Sequence, residues 1–243
     1  MSARTEQLAD NLSRLRDRIA AAAAAAGRDP AEVTLVAVTK TFPAADVVRL
    51  ARLGVTDIGE NRDQEAAPKV AEVAGLAGPA GLAVRWHFVG RLQRNKCRSV
   101  AGYADLVHSV DSVRLAAALG AAAQRRGRPL EVLVQVSLDA DPTRGGALPG
   151  GGDPDREVAR VADTVAGQPA LRLRGVMAVA PLAWDPAIAF DRLAEIAGQV
   201  RAGHPQATVI SAGMSGDLEA ALAHGATHLR IGSALLGNRA PLR

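Results

Sequence analysis

Eight short strand-like segments, separated by stretches of helical character, recur along the 243 residues, and this alternation constrains the fold more than any single motif. The segments fall at residues 35–38, 55–59, 84–90, 106–110, 130–138, 171–179, 208–211 and 228–232. The first, Leu35 to Val38, is four apolar residues in a row and reads as a strand buried on both faces. Strands that alternate with helices build a parallel sheet. Eight such units in a chain of this size favour a closed barrel of about 250 residues over an open sheet. The expected fold is therefore α/β, a single (β/α)8 TIM barrel domain over residues 1–243. Leu8, Leu12, Leu15 and Ile19 recur at helical spacing before Gly27, which adds an extra N-terminal helix.

Between the runs, helices are expected from Phe42-Pro43 to Leu53, from Asn61 to about Val73, from Gln93 through a basic segment, and over residues 112–126. Further helices are expected over about 155–166, after Asp185, and over 216–224. Residues 75–81 read as a loop. So does 139–153, which holds Pro142, Gly145, Gly146, Pro149, Gly150, Gly151 and Gly152, and whose composition is that of a mobile segment.

Composition narrows the function classes. Aromatic residues make up 2% of the chain, which leaves few stacking platforms for bases and argues against a nucleic-acid binder. The net charge of +4 comes from scattered residues, and a phosphorylated small ligand suits it as well as a polyanion. The single cysteine, Cys97, cannot form an internal disulfide, and its neighbours offer no metal-ligand spacing. A reducing cytoplasm and an inert helical thiol follow. No apolar run approaches the ~18 residues of a membrane span, and charges at Asp10, Arg14, Arg16, Asp17 and Arg18 interrupt the place of a signal peptide.

The first strand ends on Thr39-Lys40-Thr41. Barrel ligands bind at the C-terminal strand ends, and phosphates often at the loops after the seventh and eighth strands. There the sequence places Ser211-Ala212-Gly213-Met214-Ser215-Gly216-Asp217 and Ile231-Gly232-Ser233-Ala234, with glycines that admit close backbone approach and hydroxyls that donate. Arg230 lies in the last strand, where burial without a partner would be costly. It either faces a ligand, or pairs with a core carboxylate such as Glu60, or does both. A lysine amine, an arginine and a phosphate cradle together form the constellation for a pyridoxal phosphate Schiff base. His87, on an otherwise apolar strand, reads as a satisfied core histidine, Asn61 as a helix cap, and Met177 as core.

Six segments in order, VAVTKT, GENRDQEA, WHFVGRLQRNK, LRGVMAV, SAGMSGDLEAAL and LRIGSALLG, span most of the chain. Together they resemble the YggS/PROSC family, the pyridoxal phosphate homeostasis proteins. The resemblance implies the fold-type III barrel of the alanine racemases. It also implies pyridoxal 5′-phosphate (PLP) on Lys40 and no established turnover. Carried over by position, Ser211, Ser215, Gly232 and Ser233 would hold the phosphate and Arg230 would meet the ring nitrogen. Asn61 and Met177 would line the ring, with Met214 beside them in the phosphate loop. Two positions depart from the family: Arg62 stands where it often has Tyr, and Arg144 where it usually has Lys.

The expected function is a non-catalytic PLP carrier, monomeric and cytoplasmic, with no catalytic or metal-ligating residue and with apo PLP-dependent enzymes as recipients. The alternative is a fold-type III amino-acid racemase or lyase. Against it stand the arginine at the ring nitrogen, the want of a clear base opposite Lys40, and the want of the C-terminal β domain that related racemases carry. A barrel that binds a phosphosugar without an imine is a third possibility.

Overall fold

A computed structural model describes residues 2–78, 81–141, 144–150 and 152–237. Among these, eight strands run β1 Thr34–Val38, β2 Asp57–Glu60, β3 Arg85–Phe88, β4 Leu106–Val110, β5 Leu130–Gln135, β6 Leu171–Met177, β7 Val209–Ser211 and β8 His228–Ile231. All pairings are parallel, each strand neighbours the next, and β8 returns to β1, so the sheet is a closed barrel. The helices are α1 Ala3–Ala25, α2 Ala44–Arg52, α3 Asp63–Ala77, α4 Cys97–Tyr103, α5 Val113–Ala123, α6 Val158–Ala166, α7 Pro186–Gly203, α8 Leu218–Ala223 and α9 Ser233–Leu236.

Local chemistry starts several of these helices. The Ser112 side chain accepts from Leu115 N–H at the head of α5, and Asp185 accepts from Ala187 N–H, with Pro186 in the first turn of α7. The basic segment after Gln93 opens as one 3-10 turn, Arg94–Lys96, before α4 begins.

Two apolar regions result. The main core lies between the sheet and the helices, with Leu50, Ile58, Leu119, Phe190 and Leu193 among its buried members. A smaller cluster, Leu106, Leu133, Met177 and Val209, comes from β4 to β7.

The loop expected at 139–153 is tied to β5 at its described residues. Ala147 N–H donates to Gln135 O at 2.7 Å and Ser137 N–H to Ala147 O at 2.9 Å, which extends β5 by one bridge. Gly146 makes this approach possible: its φ is +103°, and a Cβ there would sit 2.6 Å from Ser137 N. Arg144 adds a tie to Asp139 at 2.8 Å and to Val179 O at 2.9 Å. Pro142 and Gly151 lie outside the described residues. The expected loop at 75–81 is also shorter, because α3 continues to Ala77.

The extra N-terminal helix is a brace. Leu8, Leu12, Leu15, Ile19 and Ala23 form its buried stripe. Its polar side chains grip α2 of the first βα unit and the ends of the last two. Arg4 donates to Asp46 Oδ2 and to Leu236 O, Asn11 to Leu235 O at 2.9 Å, and Arg18 to Ser215 O at 2.8 Å. Leu12→Ala is expected to lower stability by about 2–5 kcal/mol, as for other buried leucines. Urea unfolding followed by circular dichroism measures it.

Candidate functional site

The turn after β1 is over-determined except at one side chain. Thr39 is buried, and its hydroxyl donates to Glu60 Oε1 at 2.6 Å. Lys69, from α3, donates to the same carboxylate oxygen at 2.6 Å and to Thr39 O at 2.9 Å. Phe42 N–H also reaches Thr39 O, at 3.0 Å. Thr41 then takes φ 69°, a conformation a β-branched residue adopts only when its surroundings enforce it. Lys40 sits inside this clamp. It is exposed, and no hydrogen bond or ion pair ties it to another described residue.

The loops after β7 and β8 meet beside that turn. Ala37 pairs with Ile231 in the β1–β8 register, and Gly232 lies against Val38. Lys40 and the Gly232-Ser233 turn therefore leave adjacent strands at the same barrel end. Ser233 Oγ donates to Ser215 Oγ at 3.2 Å, and Ala234 N–H reaches the same atom at 3.2 Å. Gly213 permits the β7 turn: its φ is +89°, and a Cβ there would lie 2.7 Å from the Ala221 Cβ. Met214, on the exposed rim, donates its N–H to Asp217 at 2.6 Å.

Arg230 is 5% exposed, yet no carboxylate pairs with it among the described residues. The pairing with Glu60 foreseen from sequence does not form. Ile58 faces the outer core and Glu60 shares that face with Lys69, so the carboxylate points away from the barrel interior. The guanidinium is held instead by neutral acceptors, Ser211 Oγ at 2.8 Å and Ala178 O at 2.9 Å. Burial lowers its pKa to about 10.

Ser211 in turn contacts His108 Nδ1 at 2.9 Å, although β4 and β7 are not neighbours in the sheet, so this bond crosses the barrel interior. His108 Nε2 meets His87 Nδ1 at 2.9 Å, and His87 Nε2 meets Asp57 Oδ1 at 2.9 Å. Burial pushes His87 down and His108 well down, and brings His228 to about 4. Burial raises Asp57, but its hydrogen bond from His87 and the nearby cations outweigh this and hold it low.

Asn61 does not cap α3. The cap position is Arg62, with Asp63 the first helical residue. The Asn61 backbone is instead pressed on Gly90, where a Cβ would fall 2.0 Å from Asn61 O. Its side chain makes no hydrogen bond to another described residue.

A family model described as "Alanine racemase, N-terminal domain" matches residues 10–240. The pyridoxal phosphate homeostasis protein of Mycobacterium tuberculosis is 48% identical over 249 residues, covering 97% of this chain and 94% of the relative. That of Escherichia coli K12 is 38% identical over 239 residues, covering 96% and 97%. The chain belongs to the pyridoxal phosphate homeostasis protein family. PipY of Synechococcus elongatus, solved with PLP bound, superposes with a TM-score of 0.77 at 32% identity, over 95% of this chain and all of that one. Alanine racemase of Corynebacterium glutamicum, at 17% identity and a TM-score of 0.65, shares the fold over 98% of this chain and 64% of its own.

Within this homeostasis-family barrel the foreseen residues separate into three groups. Lys40, Ser215, Gly232 and Ser233 gather at the meeting of β1, β7 and β8. Met177, Ser211 and Arg230 lie buried, with the Met177 and Ser211 positions paired across β6 and β7. Asn61 stands apart after β2, and Met214 stands on the rim. The Ser211 hydroxyl is engaged by Arg230 and His108. His87 is a satisfied core histidine, as foreseen, bonded at both ring nitrogens. Arg62 is exposed beside Glu65, and Cys97 is buried with its pKa raised to about 11. Asp57, His108 and the Thr39–Glu60–Lys69 clamp were not foreseen. The visible hint was a second histidine in the apolar run Leu106-Val107-His108.

Two outcomes follow from this geometry. Lys69→Met strips the buried Glu60 of its cation, and a loss of about 3–5 kcal/mol is expected in urea unfolding. Acid acts through the histidines. Unfolded histidine takes up protons below about pH 6.5, whereas folded His228 does so only near about 4. The unfolded state binds more protons in that window, so unfolding free energy falls as pH drops through it. Denaturant midpoints across this range should fall, and His228→Asn should flatten the slope.

Proposed function

We propose that this chain binds PLP covalently through Lys40 and stores or delivers it without turning over a substrate of its own. One observation carries the reading: a lysine amine without a partner among the described residues is presented at the barrel end where a buried guanidinium is hydrogen-bonded only to neutral acceptors among those residues. The residues fit the cofactor's chemistry. PLP supplies an aldehyde that takes an amine, a pyridine ring that withdraws electrons, and a phosphate dianion. Lys40 Nζ holds the aldehyde carbon. Ser215, Gly232 and Ser233 receive the phosphate. Asn61, Met177 and Met214 flank the ring. Arg230 faces the ring nitrogen, and Ser211 contributes by holding Arg230, since its own hydroxyl is already engaged.

The non-catalytic role rests on Arg230. A guanidinium disfavours a proton on the ring nitrogen, and without that proton the ring is a weak electron sink. The relatives named as homeostasis proteins and the PLP-bound PipY support the same reading. We place the protein in the cytoplasm as a monomeric single domain, with apo PLP-dependent enzymes as recipients. Among the described residues no helix is long and apolar enough to cross a membrane.

Incubation with PLP should give a yellow band near ~420 nm, and borohydride should bleach it while fixing the added mass on Lys40. Lys40→Ala should show neither change. Alanine and serine should stay unracemised in the presence of the loaded protein. Sustained racemisation that disappears in Lys40→Ala would make it an enzyme, and a colourless wild type would leave a binder of phosphate esters.

A further inference from the structure

With both imidazoles neutral and Asp57 ionised, the hydrogen bonds behind Arg230 have one consistent proton arrangement. A guanidinium only donates, so Ser211 Oγ must accept from Arg230 Nη1. The Ser211 proton then has one described acceptor, His108 Nδ1. An accepting Nδ1 carries no hydrogen, so His108 is neutral with its proton on Nε2. That proton points at His87 Nδ1, which must likewise be bare. His87 therefore carries its proton on Nε2 and donates to Asp57 Oδ1. The chain runs Arg230 to Ser211 to His108 to His87 to Asp57, every link donating in the same sense. A proton added to His87 Nδ1 would set donor against donor at the buried contact with His108 Nε2, and one added to His108 Nδ1 would turn the Ser211 hydroxyl from donor to acceptor and leave its proton without a described acceptor.

We infer that His108, His87 and Asp57 are positioning residues for the Arg230 guanidinium. They fix its direction through neutral links, so that its charge stays free for the ring nitrogen of a pyridine ligand. This rests on the PLP reading above. A carboxylate bonded directly to Arg230 would fix it equally well but would cancel its field. Here the hydrogen-bonded chain ends on a carboxylate three groups away, Asp57 at the start of β2, which is itself 3.6 Å from Arg85; Asp217 is the carboxylate whose charge reaches Arg230, without a hydrogen bond to it. His228 faces both rings, at 6.3 and 6.4 Å between centroids, but bonds to Thr227 and stays outside the chain. Ala178 O completes the hold on the guanidinium.

The first test needs no cofactor. Nitrogen-15 NMR of the PLP-free protein near neutral pH should report His87 and His108 as neutral tautomers protonated at Nε2. A proton on Nδ1 of either ring, or a doubly protonated ring, overturns the inference. The second test measures binding of PLP and of phosphate-free pyridoxal to the full chain. Ser211→Ala and His108→Phe should each weaken both ligands by the same factor, on the order of tenfold, while borohydride still fixes PLP on Lys40. Ser211→Thr, which keeps the hydroxyl, should restore most of the loss. Weakening of PLP alone would make Ser211 a phosphate contact, and unchanged affinities would make the chain a structural strut; either overturns the positioning role. His108→Phe is read only if its circular dichroism is native, and Ser211→Ala otherwise carries the test. If the wild type takes up neither ligand, the PLP reading fails and the positioning role falls with it. The tautomer result then separates that failure from a wrong hydrogen-bond chain.

Discussion

Arg230 sets the terms for the rest of the structure. A guanidinium buried inside a barrel must have its donors met, and desolvation makes every unmet donor costly. This barrel meets them with a serine hydroxyl and a backbone carbonyl, both uncharged. Around it stand histidines from β3 and β4, Ser211 from β7 and the apolar cluster of Leu106, Leu133, Met177 and Val209. Burial in such surroundings strengthens the electrostatic links among the polar groups.

The opposite treatment is given to the other buried cation. Lys69 lies on the outer face and is bonded directly to Glu60. Its charge is cancelled, and what remains is a mechanical clamp on Thr39. Direct pairing suits a residue whose task is to hold backbone, and remote pairing suits one whose field is needed. The clamp works against the strain at Thr41, so that Lys40 projects from a turn that cannot relax. On the far side of the site, α1 steadies the β7 and β8 turns through Arg18 and Asn11. Rigid neighbours thus surround a flexible amine, an arrangement that lowers the ordering cost of attaching a ligand to it.

Periodicity made the barrel legible, because alternating apolar runs and amphipathic segments carry their own register. The site was legible where chemistry showed as residue type at a strand end: Lys40, and the Gly-Ser turns at 213–216 and 232–233. Side-chain direction was not legible. Glu60 follows Gly59 in a four-residue strand, and which of the two faces outward depends on pairing with β1 and β3. Hence Arg230 stood as one possible partner of Glu60 on the sequence alone, where the structure gives Lys69. Asn61 looked like a cap, because Asn before a helix usually is one, yet contact with Gly90 displaced the helix start by two residues. The loop at 139–153 looked mobile because glycine marks both flexible and tightly packed backbone. Only tertiary contact at Gly146 tells the two apart.

The same ambiguity explains why His108 escaped notice. A single histidine in an apolar strand is silent about its partners, and two of them in separate strands say nothing about distance. Closure of the sheet brings the two together, for β3 and β4 are adjacent and their inward residues stack in neighbouring layers. Once closed, the barrel converts three unremarkable polar residues and an aspartate into a line of fixed polarity. Holding a reactive ring without activating it calls for a cation that is rigid and unpaired and that cannot give up its proton to the ring. Arginine with neutral acceptors meets all three demands, whereas a bonded carboxylate would defeat the second and a lysine the third.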